Sequence, residues 1–140
     1  MKKDSTAYSA ERPSWDKDDC SVRALAVATG MPYGVASIAF SALGRQLKKG
    51  TATSLSTRLH EDFLKMTPIY SSAGMRLDTF LEIAKTGSFV VHKSKHAFAV
   101  VEGVVHDWEG TTSPATIVVR AWKVTEQTRG KMEGLKKLFE

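Results

Sequence analysis

The stretch that most restricts the fold is Asp16-Lys-Asp-Asp-Cys-Ser-Val-Arg-Ala-Leu-Ala-Val-Ala-Thr-Gly30. Asp18 and Asp19 are N-cap residue types, because a carboxylate accepts the free N–H groups of a first helical turn. Gly30 can take the left-handed conformation that closes a helix. Between them Val22, Ala24, Leu25, Ala26, Val27 and Ala28 leave Arg23 as the one strongly polar side chain. A helix that is apolar on nearly every side has no face to give to water, so it belongs at the centre of a domain. The rest of the chain must supply the layers that cover it.

Cys20, the single cysteine, stands at the mouth of this helix. The positive end of the helix macrodipole favours a thiolate there and makes the sulfur a better nucleophile. The plainer reading of a lone cysteine is an inert, buried small hydrophobe. One cysteine excludes an intrachain disulfide and a thiolate-rich zinc site, and it suits a reducing compartment.

Beyond Gly30 the apolar residues keep helical spacing for some way. Pro32 is placed for a first turn, and Val35, Ile38 and Leu43 line a second helix that Gly44 closes. A third helix is expected over 54–66, with Leu55, Leu59, Phe63 and Met66 on its apolar face and His60 beside it at the surface; Pro68 ends it. Leu77, Phe80, Leu81 and Ala84 give a fourth, short helix over 77–85. From Ser88 the period becomes that of strands, with β-rich runs at 88–93, 96–102, 104–108 and 117–124. Helices first and strands afterwards predict an α+β fold with an antiparallel sheet. The domain is expected over 15–124, between a loosely held arm at 1–14 and a basic tail at 125–140 with room for a short helix through Leu135, Leu138 and Phe139.

The second informative stretch is His96-Ala-Phe-Ala-Val-Val-Glu-Gly-Val-Val-His-Asp-Trp108. Glu102-Gly103 reads as the whole of a tight hairpin loop, with glycine at a positive φ. That register pairs Val101 with Val104, Phe98 with Asp107 and His96 with Glu109. His96 and Asp107 then share a face as diagonal neighbours, and His106 points to the other. A slip of one residue would exchange Asp107 for His106. A cysteine nucleophile needs a base for its proton and a third group to orient that base. His96 fits the first role, and Asp107 or Glu109 the second. Taken singly, each is equally a strand-end histidine or a surface carboxylate. A metal site from Cys20, His96 and His106 fits poorly, since His106 is turned away and no fourth ligand has recognisable spacing.

Asp-Asp-Cys heading an apolar helix, followed by Thr-Gly-x-Pro-Tyr and the His96 hairpin, resembles the papain-like cysteine peptidase superfamily. The chain looks most like compact bacterial and phage-encoded members similar to the double-glycine peptidases that trim bacteriocin leaders. The resemblance covers about 15–108. It implies a papain-like domain in which Cys20 is the nucleophile, His96 the general base and acid, and Asp107 the orienting acid, with the Cys20 N–H as one oxyanion donor. No cofactor or metal is implied. The superfamily commonly has a glutamine shortly before the cysteine to complete the oxyanion hole, and here that position is Ser14. Ser14 and the indole N–H of Trp15 are the substitutes at hand, and Asp19 is a further candidate beside the site. Loss of one oxyanion donor typically costs about 10²–10³ in rate.

Two functions from different classes fit these residues. One is a cysteine hydrolase acting on a peptide, isopeptide or related amide through a thioester. The other is a degenerate papain-fold phage protein that binds and modulates a host protein. The net charge of +5 gathers at 45–49 and 129–137 and reads as solvated surface; basic residues are not interleaved with aromatic ones, so nucleic acid is not the expected partner. No run approaches the ~18 apolar residues of a membrane span, and no secretion signal heads the chain, so a cytoplasmic protein is expected (host cytoplasm, if phage-encoded).

Overall fold

Helix α1, Cys20–Thr29, is the centre of the molecule. Val22, Ala24, Leu25 and Ala26 have no exposed surface, and Gly30 closes the helix at φ 68°. The computed structural model describes residues 1–4, 19–45, 53–108, 112–138 and 140. Among these, α1 is joined by α2 (Tyr33–Ala42), α3 (Thr53–Thr57), α4 (Leu77–Ile83) and α5 (Glu126–Lys137). The strands are β1 (Lys3–Asp4), β2 (Thr67–Pro68), β3 (Ser88–Lys93), β4 (His96–Val101), β5 (Val104–His106) and β6 (Arg120–Lys123). The fold is α+β, with one mixed sheet in the order β1-β5-β4-β3-β6-β2. None of the described helices is long and apolar enough to cross a membrane.

The strand sequences sort their side chains by period two onto two covered faces. Val90, Ala97, Ala99 and Trp122 join the core made by α1 and α2, to which α5 adds Met132. Phe89, Val91, Phe98, Val100 and Ala121 join Leu77 and Phe80 of α4, and Ala84 just after it, on the opposite face. Alanine at 97 and 99 leaves room for α1 to lie close across β4 and β3, the two central strands. The face towards α4 carries phenylalanines instead, and Phe80 and Phe89 meet edge to face. The site-bearing strand is therefore sandwiched, and its ends are held from both sides.

Several expectations are corrected. The sheet is not wholly antiparallel, because β1 runs parallel to β5. Lys3–Asp4 thus form an edge strand within the stretch expected to be a loose arm. The exposed edge of β5 needs partners, and the N–H groups of Val105 and Asp107 donate to the carbonyls of Lys2 and Asp4, both at 2.9 Å. The expected last strand shortens to Arg120–Lys123, since Val118 exchanges backbone hydrogen bonds with Gly74 and Met75 instead of a strand partner. The tail forms α5, opened by a Thr125/Thr128 capping box. Its anchor is the fully buried Met132, while Leu138 is exposed and Phe139 lies outside the described residues. Arg45, expected on a solvated basic loop, is buried, and residues 46–49 lie outside the described residues.

The third helix departs most. After α3 the chain widens into π-helical turns over Arg58–Phe63, with the Leu64 N–H donating to the Leu59 carbonyl at 2.9 Å. The extra residue per turn rotates the side chains beyond it about the helix axis. His60, expected at the surface, is fully buried against Trp122, His92 and Phe40, while Phe63, expected on the apolar face, is half exposed.

Candidate active site

Three elements deliver the site. Cys20 is the first residue of α1 and remains partly accessible. His96 is the first residue of β4, and Asp107 directly follows β5. The link between the two strands is the two-residue turn Glu102–Gly103, with φ 49° and 78°. Positive φ at both central residues is the hairpin geometry whose twist matches that of paired strands. The observed pairs are Val101↔Val104, Val100↔Val105 and Ala99↔His106, the register read from the sequence. Its next step sets Phe98 beside Asp107 and leaves His96 diagonal to it.

That diagonal is closed by a hydrogen bond. His96 Nε2 lies 2.7 Å from Asp107 Oδ1, and both side chains are shielded from water. Cys20 is near enough to His96 to bear on its protonation. With Nε2 turned to Asp107, the Nδ1 edge of the ring is the one left for the sulfur. Burial alone would lower the imidazole pKa. The hydrogen bond to Asp107 and the nearby Cys20, and then the charges on those two groups, outweigh it and carry the value up to about 9. The ring is walled by Trp108, edge-on at 5.9 Å between centroids, and by Phe98, stacked at 6.3 Å. The Arg23 guanidinium, itself buried, lies 4.3 Å over the Trp108 ring.

Both carboxylate oxygens of Asp107 are engaged. Its Oδ2 accepts a hydrogen bond from the hydroxyl of Thr112, and the Asp107 N–H donates to the Asp4 carbonyl. The arrangement resembles a relay in which a fixed acid orients a base and the base meets a sulfur. Among the described residues no group of three His, Cys, Asp or Glu side chains is placed to hold a metal ion.

Of the residues singled out from sequence, Cys20, His96 and Asp107 come together. Of the two acids left open for orienting His96, Asp107 makes the contact, and Glu109 lies outside the described residues. Ser14 and Trp15 also lie outside them. Asp19 does not cap α1 through its side chain. It is buried, and its Oδ2 accepts a 2.8 Å hydrogen bond from the Tyr33 hydroxyl, which ties the entrance of α1 to the start of α2. His106 is turned towards Asp4, 3.9 Å away. Sequence reasoning missed Thr112, whose Thr-Thr-Ser-Pro setting looks like an ordinary loop. It also gave Arg23 no partner, since Trp108 lies far along the chain. No protein family, curated protein or solved structure matches this chain.

Proposed function

We propose that this chain is a papain-like cysteine hydrolase that cleaves an amide bond in a peptide or isopeptide. The observation that carries the reading is the convergence of Cys20, His96 and Asp107 from α1, β4 and the end of β5, with the ring hydrogen-bonded to Asp107 and Cys20 near enough to raise its pKa. A nucleophile at the head of a central helix that packs on the sheet bearing its base is the papain-like layout. In the proposed reaction the Cys20 thiol proton is held by His96, and the sulfur attacks the carbonyl carbon. The resulting oxyanion is met by the Cys20 backbone N–H, one of the first-turn groups that have no intrahelical partner. His96 returns the proton to the departing amine as the C–N bond breaks and a thioester remains. Water, deprotonated by His96, then cleaves the thioester to release the acid and restore the thiol. Asp107 orients the ring and balances its positive charge throughout.

Alkylation by iodoacetamide tests the pair directly. The wild-type sulfur should react rapidly near neutral pH, and His96→Ala should slow it by about a hundredfold, the scale of a lost acid–base partner. Hydrolysis of a peptide library should disappear in Cys20→Ala. Equal, slow labelling with and without His96 would leave the binding-protein reading in its place.

A further inference from the structure

Asp107 is held by more than the ring it faces. A carboxylate bonded through one oxygen can still turn about its Cβ–Cγ bond, carrying that oxygen off line. Here Oδ1 is on His96 and Oδ2 on Thr112, so the group is gripped at both ends. Thr112 is itself buried, and its carbonyl lies 3.5 Å from Lys3 Nζ of β1. The clamp and the backbone bond from Asp107 to Asp4 therefore meet the same edge strand.

Resting on the hydrolase reading above, we propose that Thr112 is a positioning residue whose hydroxyl locks Asp107 Oδ2, so that Oδ1 stays on His96 and the opposite edge of the ring stays on Cys20. A buried carboxylate oxygen stripped of its donor is costly. Without the hydroxyl the carboxylate turns to find another donor, and Oδ1 leaves the line to Nε2. Small displacements of this kind are expensive, up to about 10²-fold in rate for 1 Å. Positioning also has a sign that separates it from simple charge neutralisation. If Thr112 merely drained charge from Asp107, its removal would strengthen the hold on the imidazolium and raise the His96 midpoint. If Thr112 positions, removal lowers that midpoint.

The experiment follows the His96 Cε1–H resonance and the iodoacetamide rate at Cys20 against pH in the full chain, in wild type, Thr112→Val, Thr112→Ala and Thr112→Ser. We expect the valine and alanine variants to show a lower His96 midpoint and about tenfold slower alkylation at neutral pH, with serine restoring both. Using both truncations keeps the test sound if one of them folds poorly. An unchanged midpoint, a raised midpoint, or failure of serine to rescue overturns the inference. The hydrolase reading fails separately, when His96→Ala leaves the wild-type alkylation rate unchanged; the resonance still reports then whether Thr112 sets the ring.

Discussion

His96 Nε2 sits 2.7 Å from a carboxylate oxygen of Asp107 that solvent does not reach, so the ring's proton is shared with a partner fixed inside the protein. Replacing Asp107 by Asn keeps the shape and removes the charge. Burial of the ring then has less to oppose it. The His96 midpoint should fall from about 9 back towards 6.5, and Cys20 alkylation at neutral pH should slow at least tenfold. Proton resonances of the ring and the alkylation profile read the two effects independently.

The same pair makes stability depend on alkaline pH. The folded midpoint is about 9 against 6.5 for the free side chain, so the stabilisation is complete below 6.5 and is lost as pH rises through 9. Urea midpoints of the wild type should decline across that window, and Asp107→Asn should flatten the decline. A wild-type curve without that fall would contradict the assignment.

A second histidine pair works in the opposite direction. Burial, then the charge on His92, pushes His60 down to about 3; burial, then Arg120 and His96, pushes His92 down to about 4. Their stabilisation is complete above 6.5 and is lost as pH falls towards those values. Among the described residues neither ring nitrogen of His60 has a hydrogen-bond partner, and its ring packs 4.6 Å from that of Trp122. His60→Phe should therefore change stability at pH 7 by no more than about 1.5 kcal/mol and should blunt the loss below pH 6.5. Chemical denaturation at pH 7 and pH 4.5 decides it.

What the sequence displayed well was local. The apolar run of α1, the Glu102–Gly103 turn and the alternation of β4 each carry their own signal, and together they place Cys20, His96 and Asp107. What it hid came from two sources. The π-helical turns add residues to a helix whose spacing still looks regular, so His60 and Phe63 exchange faces. Long-range partners leave no period at all. Lys3–Asp4 adopt a strand only because β5 offers an edge, and Thr112 and Arg23 take their roles from groups distant in the chain or in another segment. In α5 the buried anchor is Met132, with Leu135 packed beside the core and Leu138 exposed, so only part of the Leu135, Leu138 and Phe139 signal points inward.

The edge strand should be measurable by hydrogen exchange. The amides of Val105 and Asp107 donate to carbonyls of the β1 segment, so removing residues 1–4 exposes both to solvent. Protection at these two amides should collapse while that of Val90 and Phe98 in the central strands persists. Two backbone bonds of about 0.5–1.5 kcal/mol each set the expected loss in stability. Because Asp107 is one of the two, the deletion should also slow Cys20 alkylation.

Two glycines with different backbones give opposed outcomes from the same substitution. Gly103 holds φ 78° in the turn that sets the His96–Asp107 register, and an added Cβ would meet the Lys85 carbonyl at an ordinary 3.5 Å. Its cost is therefore backbone strain, about 1–2 kcal/mol for a residue with Cβ in the left-handed region. Gly130 lies inside α5, where an added Cβ meets nothing within 4 Å among the described residues. Alanine there gains about 0.5–1 kcal/mol by limiting the unfolded chain and favouring the helix. Gly103→Ala should lower the urea midpoint and slow Cys20 alkylation, whereas Gly130→Ala should raise the midpoint and leave the alkylation rate alone. A Gly103→Ala protein that is destabilised but alkylates at the wild-type rate would show that strand pairing and packing hold His96 on Asp107 without the turn.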